Sequence, residues 1–148
     1  MSAHPSAAND VTIARPVDEV FAFFSNPAEN DARWRPGVVE ITHESGEGVG
    51  ARYAQRMKGP GGAPIRAEIE IVGLDPLRRI EFVTVKGFVQ PRGRFLFGEA
   101  AGGTTVRFEL EAELGALKGL LMGSMVQKTM ASEVGNLTRA KELLERGN

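Results

Sequence analysis

Cysteine is absent from this 148-residue chain, histidine occurs twice, and tryptophan and tyrosine once each. Without a thiol there is no disulfide framework, no thiolate zinc site and no cysteine nucleophile. Two imidazoles, one of them His4 near the start, cannot build a histidine metal cluster. No acidic cluster offers a carboxylate-only site either, so neither metal nor cofactor is expected. An excess of charge of one sign is also missing. Eighteen Lys and Arg face nineteen Asp and Glu, a formal charge of −1, too little to gather nucleic acid or anionic lipid. No apolar run approaches the roughly 20 residues of a membrane span. The opening MSAHPSAAND has neither a basic start nor a hydrophobic stretch, so no signal peptide is expected and the cytoplasm is the expected location. What is present, 42% hydrophobic and 25% charged residues, is the composition of one globular domain.

Ser2 to Asn9 is small and polar, so residues 1–9 are expected to be a disordered tail and 10–148 the domain. Asp10–Ala14 alternates, with Val11 and Ile13 on one face, as a half-buried strand does. Pro16 suits a first helical turn and Asp18 and Glu19 suit the positive end of the dipole. Val17, Val20, Phe21 and Phe24 then form one apolar stripe. Asn26-Pro27 ends that helix, and Ala28–Arg35 reads as a second short one closed by Pro36-Gly37.

From Val38 to Leu114 the period is two, broken by Gly, Pro and Asp clusters at hairpin spacing. Six strands are expected: Val38–Glu44, Ala51–Lys58, Ile65–Gly73, Arg79–Lys86, Phe88–Gly98 and Thr104–Leu114. Ala116–Arg146 has no Pro and helix formers throughout, so it reads as one helix of roughly 30 residues, about 45 Å long.

This order resembles the helix-grip fold of the SRPBCC superfamily, which includes START lipid-transfer domains, birch-pollen-allergen-like proteins and bacterial polyketide cyclase/dehydrase-like proteins. VTIARPVDEVFAFF (Val11–Phe24), NPAENDARWRPGVV (Asn26–Val39), DPLRRIEF (Asp75–Phe82), GRFLF (Gly93–Phe97), GGTTVRFELE (Gly102–Glu111) and VGNLTRAKELLE (Val134–Glu145) carry the resemblance. They mark a fold and not an activity. The resemblance implies an α+β protein with a strongly bent antiparallel sheet of about seven strands. Two short helices follow strand 1, and one long C-terminal helix lies across the sheet, with a cavity for a hydrophobic small molecule between them.

On the last helix Gly119, Gly123, Val126, Met130, Val134 and Leu137 share a face. Gly in a helix interior costs about 0.5–1 kcal/mol against Ala, so its glycine half signals either close approach to the sheet or space left open. Alternation on the strands, together with Trp34, adds Val39, Ile41, His43, Tyr53, Gln55, Met57, Ile69, Ile71, Phe82, Phe95, Phe97 and Phe108 as candidate cavity residues, with Ile80 and Leu110 offered beside them. Leu117, Leu120, Leu121 and Met125 lie off that face and could form a homodimer or protein-partner surface.

His43 with Tyr53 is the one proton-transfer pair worth testing, since imidazole titrates near neutrality. Arg92, Arg94, Arg107, Glu109 and Glu111 read as a cross-strand charge ladder on the wet face. Three functions follow as expectations. The first is a carrier domain for a hydrophobic or amphipathic small molecule, and the second a cyclase- or dehydratase-type enzyme using the same cavity. The third is an interaction module built on the start of the last helix.

Overall fold

The period-two segments become strands because each can bury one face while the other stays in water. The structure is a computed structural model that describes residues 4–87 and 89–147. In chain order it comprises β1 (Ser6–Ile13), α1 (Val17–Phe24), α2 (Pro27–Trp34), β2 (Val38–Ser45), β3 (Arg52–Lys58), β4 (Pro64–Asp75), β5 (Arg79–Lys86), β6 (Arg92–Ala100), β7 (Gly103–Glu111), α3 (Ala116–Gly135) and α4 (Leu137–Glu145). The strands make one antiparallel sheet ordered β1-β7-β6-β5-β4-β3-β2, a meander whose last strand is joined by the first. Register breaks in β2 and between β4 and β5 accompany its curl. The two short helices and α3 cover the concave face, and α3 lies along β1 and β7.

The structure corrects the expected limits at several places. Ser6–Asn9 is not a frayed tail, because it pairs with Phe108–Glu111. Gln127 of α3 accepts from the Ser6 N–H at 3.1 Å and donates back to the Ser6 carbonyl. The Asn9 amide donates to the Val134 carbonyl at 3.1 Å. Backbone pairing thus orders a segment with few apolar side chains; residues 1–3 of that expected tail lie outside the described residues.

The long C-terminal helix is interrupted once, at Asn136, which separates α3 from α4. Its N–H is shared between the Ser132 and Glu133 carbonyls at 3.2 and 3.1 Å, and Gly135 before it is a weak helix former. Arg15 closes the far end, donating from Nε to the Leu144 carbonyl at 2.8 Å and from Nη2 to the Glu145 carbonyl at 3.0 Å. Strand β6 begins at Arg92, and Phe88, its expected start, lies outside the described residues. Strand β7 ends at Glu111, and Ala112 and Leu114 are buried beyond it.

Aromatic rings dominate the centre of the core. Phe95 of β6 and Phe108 of β7 are cross-strand partners, stacked at 4.3 Å between centroids. Phe24 lies 4.9 Å from Phe95, and Trp34 meets Phe24 and Phe108 edge-on at 5.6 and 5.9 Å. Gly93 makes room for one more ring, since a Cβ there would sit 2.5 Å from Phe82 Cζ and 2.8 Å from Leu110 Cδ2.

Candidate functional site

Between the concave sheet face and the helices lies a cavity of about 170 Å³. A 150 Å³ apolar cavity is enough for benzene, so this one takes a single ring. Its sheet wall is formed by Met57 and Gln55 of β3, Ile69 and Ile71 of β4, Ile80, Phe82 and Thr84 of β5, Phe95 of β6, and Phe108 and Leu110 of β7. The helical wall is formed by Phe24, Pro27, Asp31, Trp34 and Arg35 around α1 and α2, and by Thr129, Met130 and Glu133 of α3; Pro91 completes it.

Eleven of the residues expected from the sequence stand on this wall: Trp34, Gln55, Met57, Ile69, Ile71, Ile80, Phe82, Phe95, Phe108, Leu110 and Met130. The others lie elsewhere. Ile41, Tyr53, Phe97 and Val126 are buried in the surrounding core. Val39 is exposed because the register of β2 slips between Val38 and Glu40. That slip points Val38 and Ile41 inward together, three residues apart, and breaks strict alternation. Gly119 and Gly123 are half-buried and off the wall. A Cβ on Gly123 would meet nothing within 4 Å, so close packing on the sheet does not explain it.

His43 is exposed and also off the wall. Its ring stacks on Tyr53, its cross-strand neighbour, at 4.9 Å. Its Nε2 lies 2.6 Å from the Gly46 carbonyl; a carbonyl only accepts, so Nε2 carries the proton there. The pKa of Tyr53 is raised, by burial first and then by the negative charges of Asp31 and Glu47, so its phenol stays protonated at neutral pH. Both rings lie off the wall, so the pair presents no base to the cavity.

The sequence reading missed the polar end of the cavity. Asp31 and Arg35 are four residues apart and meet on one side of α2, at 3.0 Å from Oδ2 to Nη1. Arg35 Nε donates to Glu133 of α3, and Nη1 reaches Gln55 Oε1 at 3.3 Å. The three charged side chains are only 11–16% exposed. Burial acts to lower the pKa of Arg35 but is outweighed by Glu133 and Asp31, so it is raised and the guanidinium stays charged. Burial has the larger effect on Asp31, whose pKa is raised despite Arg35 and the nearby Trp34 indole. The indole N–H itself is sealed from solvent without a hydrogen bond of normal geometry. Two signals pointed here: a carboxylate and a guanidinium bracketing the only Trp at helical spacing, and a Glu beside the buried face of α3.

Among the described residues no group of three His, Cys, Asp or Glu could hold a metal ion, and no helix is long and apolar enough to cross a membrane. The apolar start of α3 is on the surface: Leu117, Leu120, Leu121 and Met125 are 71, 83, 74 and 52% exposed.

A bent antiparallel sheet gripped by helices around an apolar cavity defines the Bet v 1-like helix-grip class. Residues 4–142 match the model of the family described as polyketide cyclase / dehydrase and lipid transport, and the chain belongs to that family. Its structure is similar to TTHA0849 from Thermus thermophilus, at 23% identity over 93% of this chain and 95% of that one, with a TM-score of 0.75. Ara h 8.0201 is similar at 13% identity over 99% and 100%, TM-score 0.71. The di-domain ARO/CYC StfQ from the steffimycin biosynthetic pathway matches at 15% identity and a TM-score of 0.78, with 94% of this chain covering 50% of that one. These identities establish a shared fold. No curated protein matches the sequence. A ligand-binding or cyclase-type domain is what family and fold together support.

Proposed function

We propose that the protein is a binding domain that encloses one small hydrophobic or amphipathic molecule between its sheet and α3. The observation that carries this reading is the cavity itself: about 170 Å³ of space inside an aromatic and aliphatic wall, with one polar end at Arg35. A single ring burying about 150 Å² of apolar surface gains about 4 kcal/mol at 25 cal/mol per Å². That corresponds to a Kd of about 1 mM, and larger natural ligands would bind more tightly if the wall yields. A cyclase- or dehydratase-type enzyme is the second reading, favoured by the family description and by the buried carboxyl of Asp31 on the wall. His43 and Tyr53 would have no part in it.

Trp34, the only tryptophan, stands on the wall and reports occupancy through its emission. Toluene or benzyl alcohol at about 5 mM should shift that emission and add about 1 kcal/mol of stability. Native mass spectrometry of freshly purified protein should show a co-purified small molecule. No change in emission or melting temperature with either compound would refute the binding reading.

A further inference from the structure

The polar end of the cavity carries an uncompensated charge. With both carboxyls ionised, Arg35 contributes one positive charge against those of Asp31 and Glu133, which leaves −1. Each carboxylate uses one oxygen on Arg35: Asp31 Oδ2 and Glu133 Oε1. Glu133 Oε2 accepts no hydrogen bond from the described residues; Asp31 Oδ1 accepts none of normal geometry, though the Trp34 indole N–H lies beside that carboxylate, and neither oxygen is sealed in. Both residues stand on the cavity wall, and the Asp31 side chain is 11% exposed. Nε and Nη1 of Arg35 are already committed to Glu133, Asp31 and Gln55.

We propose that the cavity selects a single-ring ligand whose polar end donates hydrogen bonds, a protonated amine most strongly and a hydroxyl less so, to the open oxygens of Asp31 and Glu133. This rests on the binding reading above and adds the ligand's chemistry to it. A cation next to a buried net charge of −1 is attracted through a low-dielectric medium, whereas a carboxylate would be a third anion facing one guanidinium.

Charged and titratable groups facing this end are Arg35 and Asp31 from the α2 side, Glu133 from α3 and the neutral Tyr53 from β3. Asp31 must be ionised to receive a cation fully. Burial raises its pKa, so affinity for an amine rises with pH over the range in which Asp31 loses its proton. Affinity for an alcohol does not.

The test is a titration of the full chain with toluene, benzyl alcohol, benzylamine and benzoate, following Trp34 emission at several pH values. Benzylamine should bind about tenfold more tightly than benzyl alcohol at neutral pH, because both donate to a carboxylate but only the ammonium adds the attraction of opposite charges, and benzoate should be weakest. In Glu133→Gln the benzylamine-to-toluene affinity ratio should fall about tenfold. If that variant does not fold, the pH profile of the unaltered chain answers the same question, because only the amine should gain affinity as pH rises. Benzoate binding as well as benzylamine, or parallel pH profiles for amine and alcohol, would overturn the proposal while leaving the cavity reading intact. Failure of all four probes, toluene included, would remove both.

Discussion

Thr84→Phe separates an empty interior from a filled one by the sign of its effect. Thr84 is buried in β5 on the cavity wall, opposite Ile69 of β4, and its own N–H is satisfied by the Pro91 carbonyl at 3.0 Å. Its side chain makes no hydrogen bond among the described residues, and an aromatic ring is well tolerated in a strand. If about 170 Å³ is free beside it, the ring enters that space and buries about 100 Å² more apolar surface, worth up to about 2.5 kcal/mol. If the interior is full, overpacking costs about 1–3 kcal/mol. In a chain of this length each kcal/mol moves the melting temperature by about 2–4 °C, so the two cases lie on opposite sides of the parent. The variant should melt at or above the parent temperature, measured by circular dichroism, and should lose the response of Trp34 emission to toluene. A fall of several degrees, or toluene binding that survives the substitution, would refute the cavity.

Two further substitutions test other parts of the structure. Gly93→Ala puts a Cβ 2.5 Å from the Phe82 ring; it should cost about 1–3 kcal/mol and lower the melting temperature by about 2–12 °C. An unchanged melting temperature would mean that the ring does not lie over β6. The pKa of Glu109 is lowered, because Arg107 and Arg94 donate hydrogen bonds to its carboxylate. A carboxylate depressed in the folded state contributes stability above its unfolded pKa and loses it as pH falls through the folded one. Glu109→Gln should therefore flatten the decline of melting temperature as pH falls below the ordinary glutamate range, and an unchanged slope would show that the ladder on β6 and β7 contributes nothing to acid stability.

Local pattern was enough for much of the fold. The stripe Val17, Val20, Phe21, Phe24 and the alternation of Ile69 and Ile71, or of Val106, Phe108 and Leu110, each follow from residues within a few positions of one another. A helix or strand shows its buried face in its own period. Half of the cavity wall was legible for the same reason, since any residue on the concave face of a central strand points toward the helices. The charge ladder was legible too: Arg94 and Glu109 face each other across β6 and β7.

Long-range contacts determined the rest. The order of Ser6–Asn9 comes from β7 and from Gln127, more than a hundred residues away. The outward turn of Val39 comes from one extra residue in the pairing of β2 with β3, which the partner strand imposes. Arg35 and Glu133 are 98 residues apart in sequence and read alone as ordinary surface charges. Only the docking of α2 and α3 over the same cavity buries them together. Sequence supplies which faces prefer to leave water, whereas the volume left between those faces, and the charge that lines it, depends on how curved elements meet, a property that no single segment holds.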